Sequence, residues 1–181
     1  MTKDKALEIL KEFTKTESLI KHAYAVAASM KFYAEKNGED IEKWEATGLL
    51  HDFDYEMFPD NHPQKGEEIL KEKEVEPDII RAIQGHADYT GVSRDTLMEK
   101  TLFAVDELSG FVMAVAYVRP EKVKGMKVKS VKKKLKDKGF AAKVSREDIY
   151  KGVTELGIDL DEHIQNVIDA LTKVAADLGI A

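Results

Sequence analysis

The sequence contains no cysteine among its 181 residues, which excludes disulfides and thiolate metal sites. Any metal ion must therefore be held by imidazole and carboxylate groups, a donor set that suits Mn, Fe, Ni, Co, Zn or Mg. The most apolar stretch, residues 102–118, is interrupted by Asp106 and Glu107 and is too short and polar to span a bilayer. The first residues are charged and amphipathic and lack an apolar signal core, so we expect a cytoplasmic protein with no membrane partner.

Proline is scarce, with four residues in the chain, and no alternation of apolar and polar residues persists long enough to indicate a sheet. Helical periodicity dominates instead. A hydrophobic content of 43% and a charged content of 34% are typical of a globular protein. The length suits one domain with a substantial core. The sequence therefore predicts an all-α helical bundle that forms a single domain over residues 1–181.

Capping residues and prolines predict where the helices of this bundle begin. The predicted starts are residue 3 for a helix to Phe13, Thr16 for a helix to Gly38, Asp40 for a helix ending near His51, Pro63 for a helix to Lys73, Pro77 for a helix to about Gly85, Ser93 for a helix to Tyr117, Ser130 for a short helix to Lys138, Ser145 with Asp148 as a capping box, and Asp159 for a final helix.

The charge is unevenly distributed, although the net charge is only −6. Residues 119–146 hold twelve Lys and Arg against two acidic residues, a local balance of +10, so the remainder carries −16. Lys129, Lys132 and Lys133 are candidates for contacting a substrate phosphate, next to a short helix that Ser130 would cap. A solvated helix face is the alternative interpretation. The acidic remainder and the lack of interleaved aromatic residues argue against a nucleic-acid partner.

A set of His and Asp residues lies in segments that should be buried. His22 is followed by small residues on the second helix, and the pair His51-Asp52 follows two leucines at a helix end. Asp106 interrupts an apolar segment, where a carboxylate needs a partner, and a divalent cation is one that offsets its desolvation. A buried ion pair, or exposure on a polar stripe with Glu107, would also explain Asp106.

The order of these residues resembles the HD superfamily of metal-dependent phosphohydrolases. The pair His51-Asp52 begins 29 residues after His22, and Asp106 lies 54 residues beyond Asp52. The stretches HAYAVAASMKFYAEKNGEDIEKWEATGLLHD, HPQKGEEIL and IIRAIQGHAD carry the likeness, over roughly residues 18–111. The resemblance implies an HD-type core at about residues 16–118, followed by a C-terminal helical extension at about 119–181.

The resemblance also implies a ligand set and a chemistry. It implies that His22, His51, Asp52 and Asp106 hold one divalent metal ion and serve the catalytic centre. A metal-activated water would then hydrolyse a phosphate ester of a small metabolite, such as a nucleotide or related phosphomonoester. Alternatives are a phosphodiesterase acting on a cyclic or dinucleotide ligand, or a catalytically silent regulatory protein that binds the metal.

Two further histidines, His62 and His86, align with family positions that bind a second metal ion or the substrate phosphate. Here Ala87 replaces the second histidine of the family's frequent HH pair, which favours one tight metal site, with a second ion as an option. Asp54 stands where the family often has glycine, and it could orient a ligand or simply be a helix-end carboxylate.

Overall fold

The computed structural model describes residues 1–181 as ten α-helices without a strand, in agreement with the predicted all-α class. A short 3₁₀ turn at Asp88–Thr90 follows the fifth helix. No helix is both long and apolar enough to cross a membrane. The helices are α1 (Lys3–Phe13), α2 (Glu17–Asn37), α3 (Ile41–Leu50), α4 (Gln64–Glu72), α5 (Pro77–Gly85), α6 (Leu97–Tyr117), α7 (Val128–Leu135), α8 (Arg146–Leu156), α9 (Leu160–Lys173) and α10 (Ala175–Leu178).

Two predicted helix starts are wrong. The long helix α6 is capped by Thr96, not Ser93, in a full capping box with Glu99. The hydroxyl of Ser93 is engaged elsewhere, within 2.9 Å of Asp95 Oδ2. The short helix α7 begins one residue after Lys127, so Ser130 lies inside its first turn and does not cap it. At α6, Thr96 stands three residues beyond Ser93 and takes the capping role, whereas Lys127 precedes α7 and no side chain caps that helix.

Helices α2 and α6, each of 21 residues, form the centre of the bundle. Helix α2 packs against α3, α6 and α9, and α6 packs also against α8. Small residues allow the closest approach: a Cβ atom on Gly48 of α3 would lie 2.6 Å from the Cα of Ala27 on α2. The close approach that this glycine permits fixes α3 against α2, and with it the spacing between His22 on α2 and His51 at the end of α3.

The residues that follow α6 share a core with it. The largest apolar cluster joins Ala25 of α2 and the second half of α6 to side chains from Val123 to Ile180. Gly152 of α8 lies against the backbone of Ala104 on α6, where a Cβ atom would come within 2.7 Å of the Ala104 Cα. This shared core supports one domain, while the boundary near residue 118 remains a prediction.

A buried polar network connects α2, α6 and α9. The Tyr33 hydroxyl lies 2.6 Å from His163 Nδ1, and His163 Nε2 lies 2.8 Å from the Ala104 carbonyl oxygen. Since that carbonyl only accepts, Nε2 carries the hydrogen and Nδ1 accepts from Tyr33. Burial lowers the pKa of His163, and burial also raises the pKa of Tyr33 to about 12. The histidine is therefore held neutral in the interior.

Substituting Gly48→Ala should destabilise the protein by about 1–3 kcal/mol, because the added methyl group has no space against the backbone of α2. Chemical denaturation of the variant measures this loss. Gly139→Ala is the matched control, since Gly139 is exposed and a methyl group added there would have its nearest neighbouring atom 3.6 Å away. Equal stability of the two variants would contradict the close contact between α2 and α3.

The neutral His163 predicts an acid-sensitive stability. Its pKa is lower in the folded state than the ordinary value of 6.5, so the unfolded chain binds this proton more readily. The contribution is fully present above pH 6.5 and is lost as the pH falls through the folded-state value. We expect the difference in unfolding free energy between wild type and His163→Gln to shrink from pH 7.5 to pH 5, about 1.4 kcal/mol per pH unit at most. A constant difference would contradict the assignment.

Candidate metal centre

Helices α2 and α6 and the end of α3 bring together the four residues of the predicted ligand set. Helix α2 carries His22, and the end of α3 places His51 and then Asp52 in the following turn. Helix α6 carries Asp106 near its middle. The atom His22 Nε2 lies 3.0 Å from Asp106 Oδ1 and 3.2 Å from His51 Nε2. His51 Nε2 lies 3.4 Å from Asp106 Oδ1 and from Asp52 Oδ2. These residues converge on one small volume.

A second group forms on the other oxygen of Asp52. His62, in the turn before α4, has its Nε2 atom 3.1 Å from Asp52 Oδ1. His86, at the end of α5, has its Nε2 atom 3.3 Å from the same oxygen. The two Nε2 atoms lie 3.4 Å apart. Asp52 thus belongs to two adjacent groups of the size that can hold a metal ion, although Ala87 supplies no ligand atom.

Three of the imidazoles are oriented through their other ring nitrogen. His51 Nδ1 donates to the Gly48 carbonyl at 2.8 Å, and His86 Nδ1 donates to the Ile83 carbonyl at 2.5 Å. His62 Nδ1 donates to Asp54 Oδ1 at 2.6 Å. Each ring therefore directs its Nε2 atom at the centre, which is the arrangement typical of metal-binding histidines. The residues present fit a divalent cation, because lone pairs of nitrogen and carboxylate oxygen face one another.

The charges in this centre are strongly coupled. Burial alone would lower the pKa of His51, but Asp52 and Asp106 outweigh it and raise that pKa well above the usual range. Burial opposes the shift of Asp106 as well, yet His51 and His22 lower the pKa of its carboxyl. The pKa of His62 is raised to about 9 by its bonds to the carboxylates, against the effect of burial. A divalent cation would compete with these protons for the same lone pairs.

The two groups lie in a cleft of about 460 Å³. Its lining contains no Lys or Arg, and it includes five carboxylates: Asp52, Asp88, Asp106, Glu107 and Asp148. Asp88 is paired with Arg94 and Lys151 at its outer side. Burial, and then the neighbouring Asp106, raise the pKa of Glu107 to about 7. An anionic ligand in this cleft would face these carboxylates unless protons or cations offset their charge.

The residues after α6 form part of the cleft wall through Val144 and Asp148. Ser145 caps α8 by accepting from the Asp148 backbone at 3.1 Å, as the sequence predicts. The second half of the predicted capping box is not formed, because the Ser145 N–H donates to Glu107 Oε2 at 2.9 Å instead. The carboxylate of Asp148 is thereby left free to line the cleft. The hydrogen bond from Ser145 to Glu107 thus connects the start of α8 with α6 at the wall of the cleft.

Aromatic side chains line the mouth of the cleft. Tyr89 is 69% exposed and donates its hydroxyl hydrogen to the His62 carbonyl at 2.6 Å. Tyr55 is 45% exposed, with its ring 5.6 Å from the His62 ring in an edge-to-face contact. Sequence reasoning missed both tyrosines, since an isolated tyrosine in a loop carries no motif. It also left Glu107 without a role in the site.

The three candidate lysines are not brought to this cleft. None of Lys129, Lys132 and Lys133 is among its lining residues. Lys132 forms an ion pair with Asp161 at the start of α9, with 2.6 Å between Nζ and Oδ1. The predicted phosphate contact of these lysines therefore has no support from the cleft geometry.

Comparison with known proteins agrees with this arrangement. Ribonuclease Y of Lawsonia intracellularis (strain PHE/MN1-00) is 31% identical over 99 residues, which covers 52% of this chain and 19% of that protein. The chain thus spans about a fifth of the length of the curated relative it matches. No solved structure matches it. The family model described as HD domain matches residues 19–110, half of the chain, and the chain therefore belongs to the HD domain family.

Proposed function

We propose that this HD domain protein is a metal-dependent phosphohydrolase that cleaves a phosphate ester of a small metabolite, such as a nucleotide or related phosphomonoester. HD domain proteins are generally metal-dependent hydrolases of phosphate compounds. The observation that carries the proposal is the convergence of imidazole nitrogens and carboxylate oxygens, within 3.0 to 3.8 Å of one another, in a cleft. A protein that only presents a helical surface has no use for such a centre.

His22, His51, Asp52 and Asp106 are the proposed ligands of a first ion. His62 and His86, with the second oxygen of Asp52, are the proposed ligands of a second ion or the groups that contact the phosphate. Although Ala87 removes one histidine, two imidazoles and a shared carboxylate oxygen provide three donors. We therefore propose a centre of two ions, with the second held by fewer protein ligands than the first. The identity of the metal stays open among the divalent ions that accept this donor set.

The chemistry then follows from the ligand set. A divalent cation bound there would supply hydroxide near neutral pH and polarise a phosphoryl oxygen. The imidazoles and carboxylates would hold that charge in place, and so orient the phosphorus for attack on one side and departure of the ester oxygen on the other. Glu107 faces the same cleft, held by the Ser145 N–H, and could bind the leaving hydroxyl group.

The lining of the cleft favours a substrate with a single phosphate. With no Lys or Arg in the wall, phosphates beyond those that the metal ions bind would face the carboxylates of Glu107 and Asp148. The volume of about 460 Å³ suits a small molecule. Tyr55 and Tyr89 offer ring faces at the mouth, which suits a planar organic group such as a nucleobase. These features together support a nucleoside monophosphate or a compound of similar shape.

A phosphodiesterase is the second candidate. The similarity to Ribonuclease Y, whose name describes cleavage of RNA, favours a phosphodiesterase, and this similarity covers 52% of the chain. The acidic wall disfavours a long polyanion, because an extended strand would pass Asp88 and Asp148 at the mouth. Short RNA and a cyclic dinucleotide therefore belong in the substrate panel beside the phosphomonoesters.

Binding of Mn²⁺ should stabilise the folded protein by about 2.7 kcal/mol at a concentration one hundred times the Kd. Asp52→Ala should abolish this gain and the hydrolysis of phosphate esters, because Asp52 is shared by both groups. Thermal unfolding with and without Mn²⁺ and metal analysis of the dialysed protein measure the effect. Asp60→Ala is the matched control, an exposed carboxylate in the same loop. Full metal content and turnover in Asp52→Ala would refute the assignment, whereas metal binding without turnover on any substrate would indicate a silent regulatory protein.

Removing the aromatic face of Tyr89 should raise KM for a nucleoside monophosphate about tenfold, since stacking on one base contributes roughly 1–3 kcal/mol. Tyr89→Leu loses the ring, while Tyr89→Phe keeps the ring and loses only the hydroxyl bond to His62. KM for ribose 5-phosphate, which has no base, should be unchanged in both variants. Equal KM values for Tyr89→Leu and Tyr89→Phe on the nucleotide would contradict base stacking without touching the hydrolase proposal.

A further inference from the structure

Asp54 is a fully buried carboxylate that does not line the cleft. It lies two residues after Asp52, and no lysine or arginine pairs with it. Each of its oxygens has one partner: Oδ1 lies 2.6 Å from His62 Nδ1, and Oδ2 accepts from the Gly66 N–H at 2.8 Å. Burying a charge is costly unless it is paired and hydrogen-bonded, so these two contacts are what offset the burial of Asp54.

The carboxylate determines which nitrogen of His62 carries the hydrogen. Since an ionised carboxylate only accepts, the hydrogen of a neutral His62 ring lies on Nδ1. The Nε2 lone pair then faces Asp52 Oδ1 at 3.1 Å and His86 Nε2 at 3.4 Å. In the second group, a backbone carbonyl orients His86. The orientation of the His62 ring depends instead on a side chain, that of Asp54.

The backbone at Gly66 makes room for this contact. A Cβ atom at Gly66 would lie 2.8 Å from Asp54 Oδ2, closer than real Cβ atoms approach, and 3.0 Å from a ring carbon of Phe53, which is tight. The glycine therefore lets the start of α4 close onto the carboxylate. In this way the α4 backbone fixes Asp54, and Asp54 fixes the ring of His62.

We propose that Asp54 is a positioning residue that sets the tautomer and orientation of His62 and so builds the second half of the metal centre. The inference rests on the proposed function, because it assigns a role at the same site. Because Asp54 does not line the cleft, it would touch neither a bound ion nor a substrate. It acts through His62 alone. Its loss should therefore lower the affinity for the second ion while leaving the first ion bound.

A purely structural role of Asp54 predicts a different behaviour. The bond to Gly66, the third residue of α4, would also stabilise the start of that helix. Asp54→Asn separates the two roles. If the amide oxygen accepts from the Gly66 N–H, the amide NH₂ faces His62 Nδ1 and moves the ring hydrogen to Nε2. The helix start is then retained, but the lone pair that would bind the second ion is lost.

The experiment is a calorimetric titration of the 181-residue chain with Mn²⁺. Wild type should bind two ions, and Asp54→Asn should bind the first ion unchanged and the second about 10- to 100-fold more weakly. Asp60→Asn, an exposed carboxylate in the same loop, should behave as wild type. In His62→Ala the second ion should be lost, and adding Asp54→Asn to that variant should cause no further change, because the two residues act as one unit.

Two binding events of unchanged affinity in a folded Asp54→Asn would overturn the inference and leave the hydrolase proposal intact. A wild type that binds one ion would also overturn it, since no second half would exist. A wild type that binds none would refute the proposed function itself. Should Asp54→Asn fail to fold, nitrogen NMR of the Zn²⁺-loaded wild type decides: His62 protonated at Nδ1 and bound through Nε2 supports the inference, and the reverse tautomer overturns it.

Discussion

The side chain of Asp52 lies between four imidazoles, two beside each carboxylate oxygen. On one side His51 lies at 3.4 Å and His22 at 3.8 Å from Oδ2. On the other side His62 lies at 3.1 Å and His86 at 3.3 Å from Oδ1. Lone pairs that face one another at these distances repel unless protons or cations lie between them. The cleft, its charge and its proposed chemistry all depend on this one constraint.

The surrounding bundle is built to hold those groups at fixed distances. The contact of Gly48 with the α2 backbone sets the distance between the helices that carry His22 and His51, and the same Gly48 provides the carbonyl that orients His51. Asp106 lies on a helix whose neighbouring side chains are mostly buried and apolar. Because well-packed helices have little freedom to shift, the packing holds these polar groups close together.

The C-terminal extension separates the positive charge of the chain from the site. Its lysines surround α7, whose buried side chains Val131 and Leu135 face the core. Arg146 donates to the backbone carbonyls of the segment before α8, and its guanidinium lies over the ring of Phe111 at 4.8 Å. What the extension gives to the cleft is instead Val144 and Asp148, a wall without positive charge. Positive charge facing an anionic ligand would then have to come from protonated imidazoles or from the proposed metal ions.

The sequence by itself determined the helices and the four residues of the first group. Helix periodicity and most caps are set by residues three or four positions apart, so local patterns are sufficient, and the spaced His and Asp residues revealed the family before the fold was known. Two predicted caps were wrong: Thr96 takes the role predicted for Ser93, and α7 starts after Lys127 without a side-chain cap, so Ser130 lies inside the helix.

Only the tertiary structure decided how the remaining groups meet. That His62 and His86 share an oxygen of Asp52, that Asp54 supports His62, and that Glu107 takes the Ser145 N–H from Asp148 all depend on packing between distant segments. The lysines of residues 119–146 are a further example. Their number is evident from the sequence, but their distance from the cleft is not. Side chains far apart along a chain are brought together by the packing of whole helices, which no local pattern encodes.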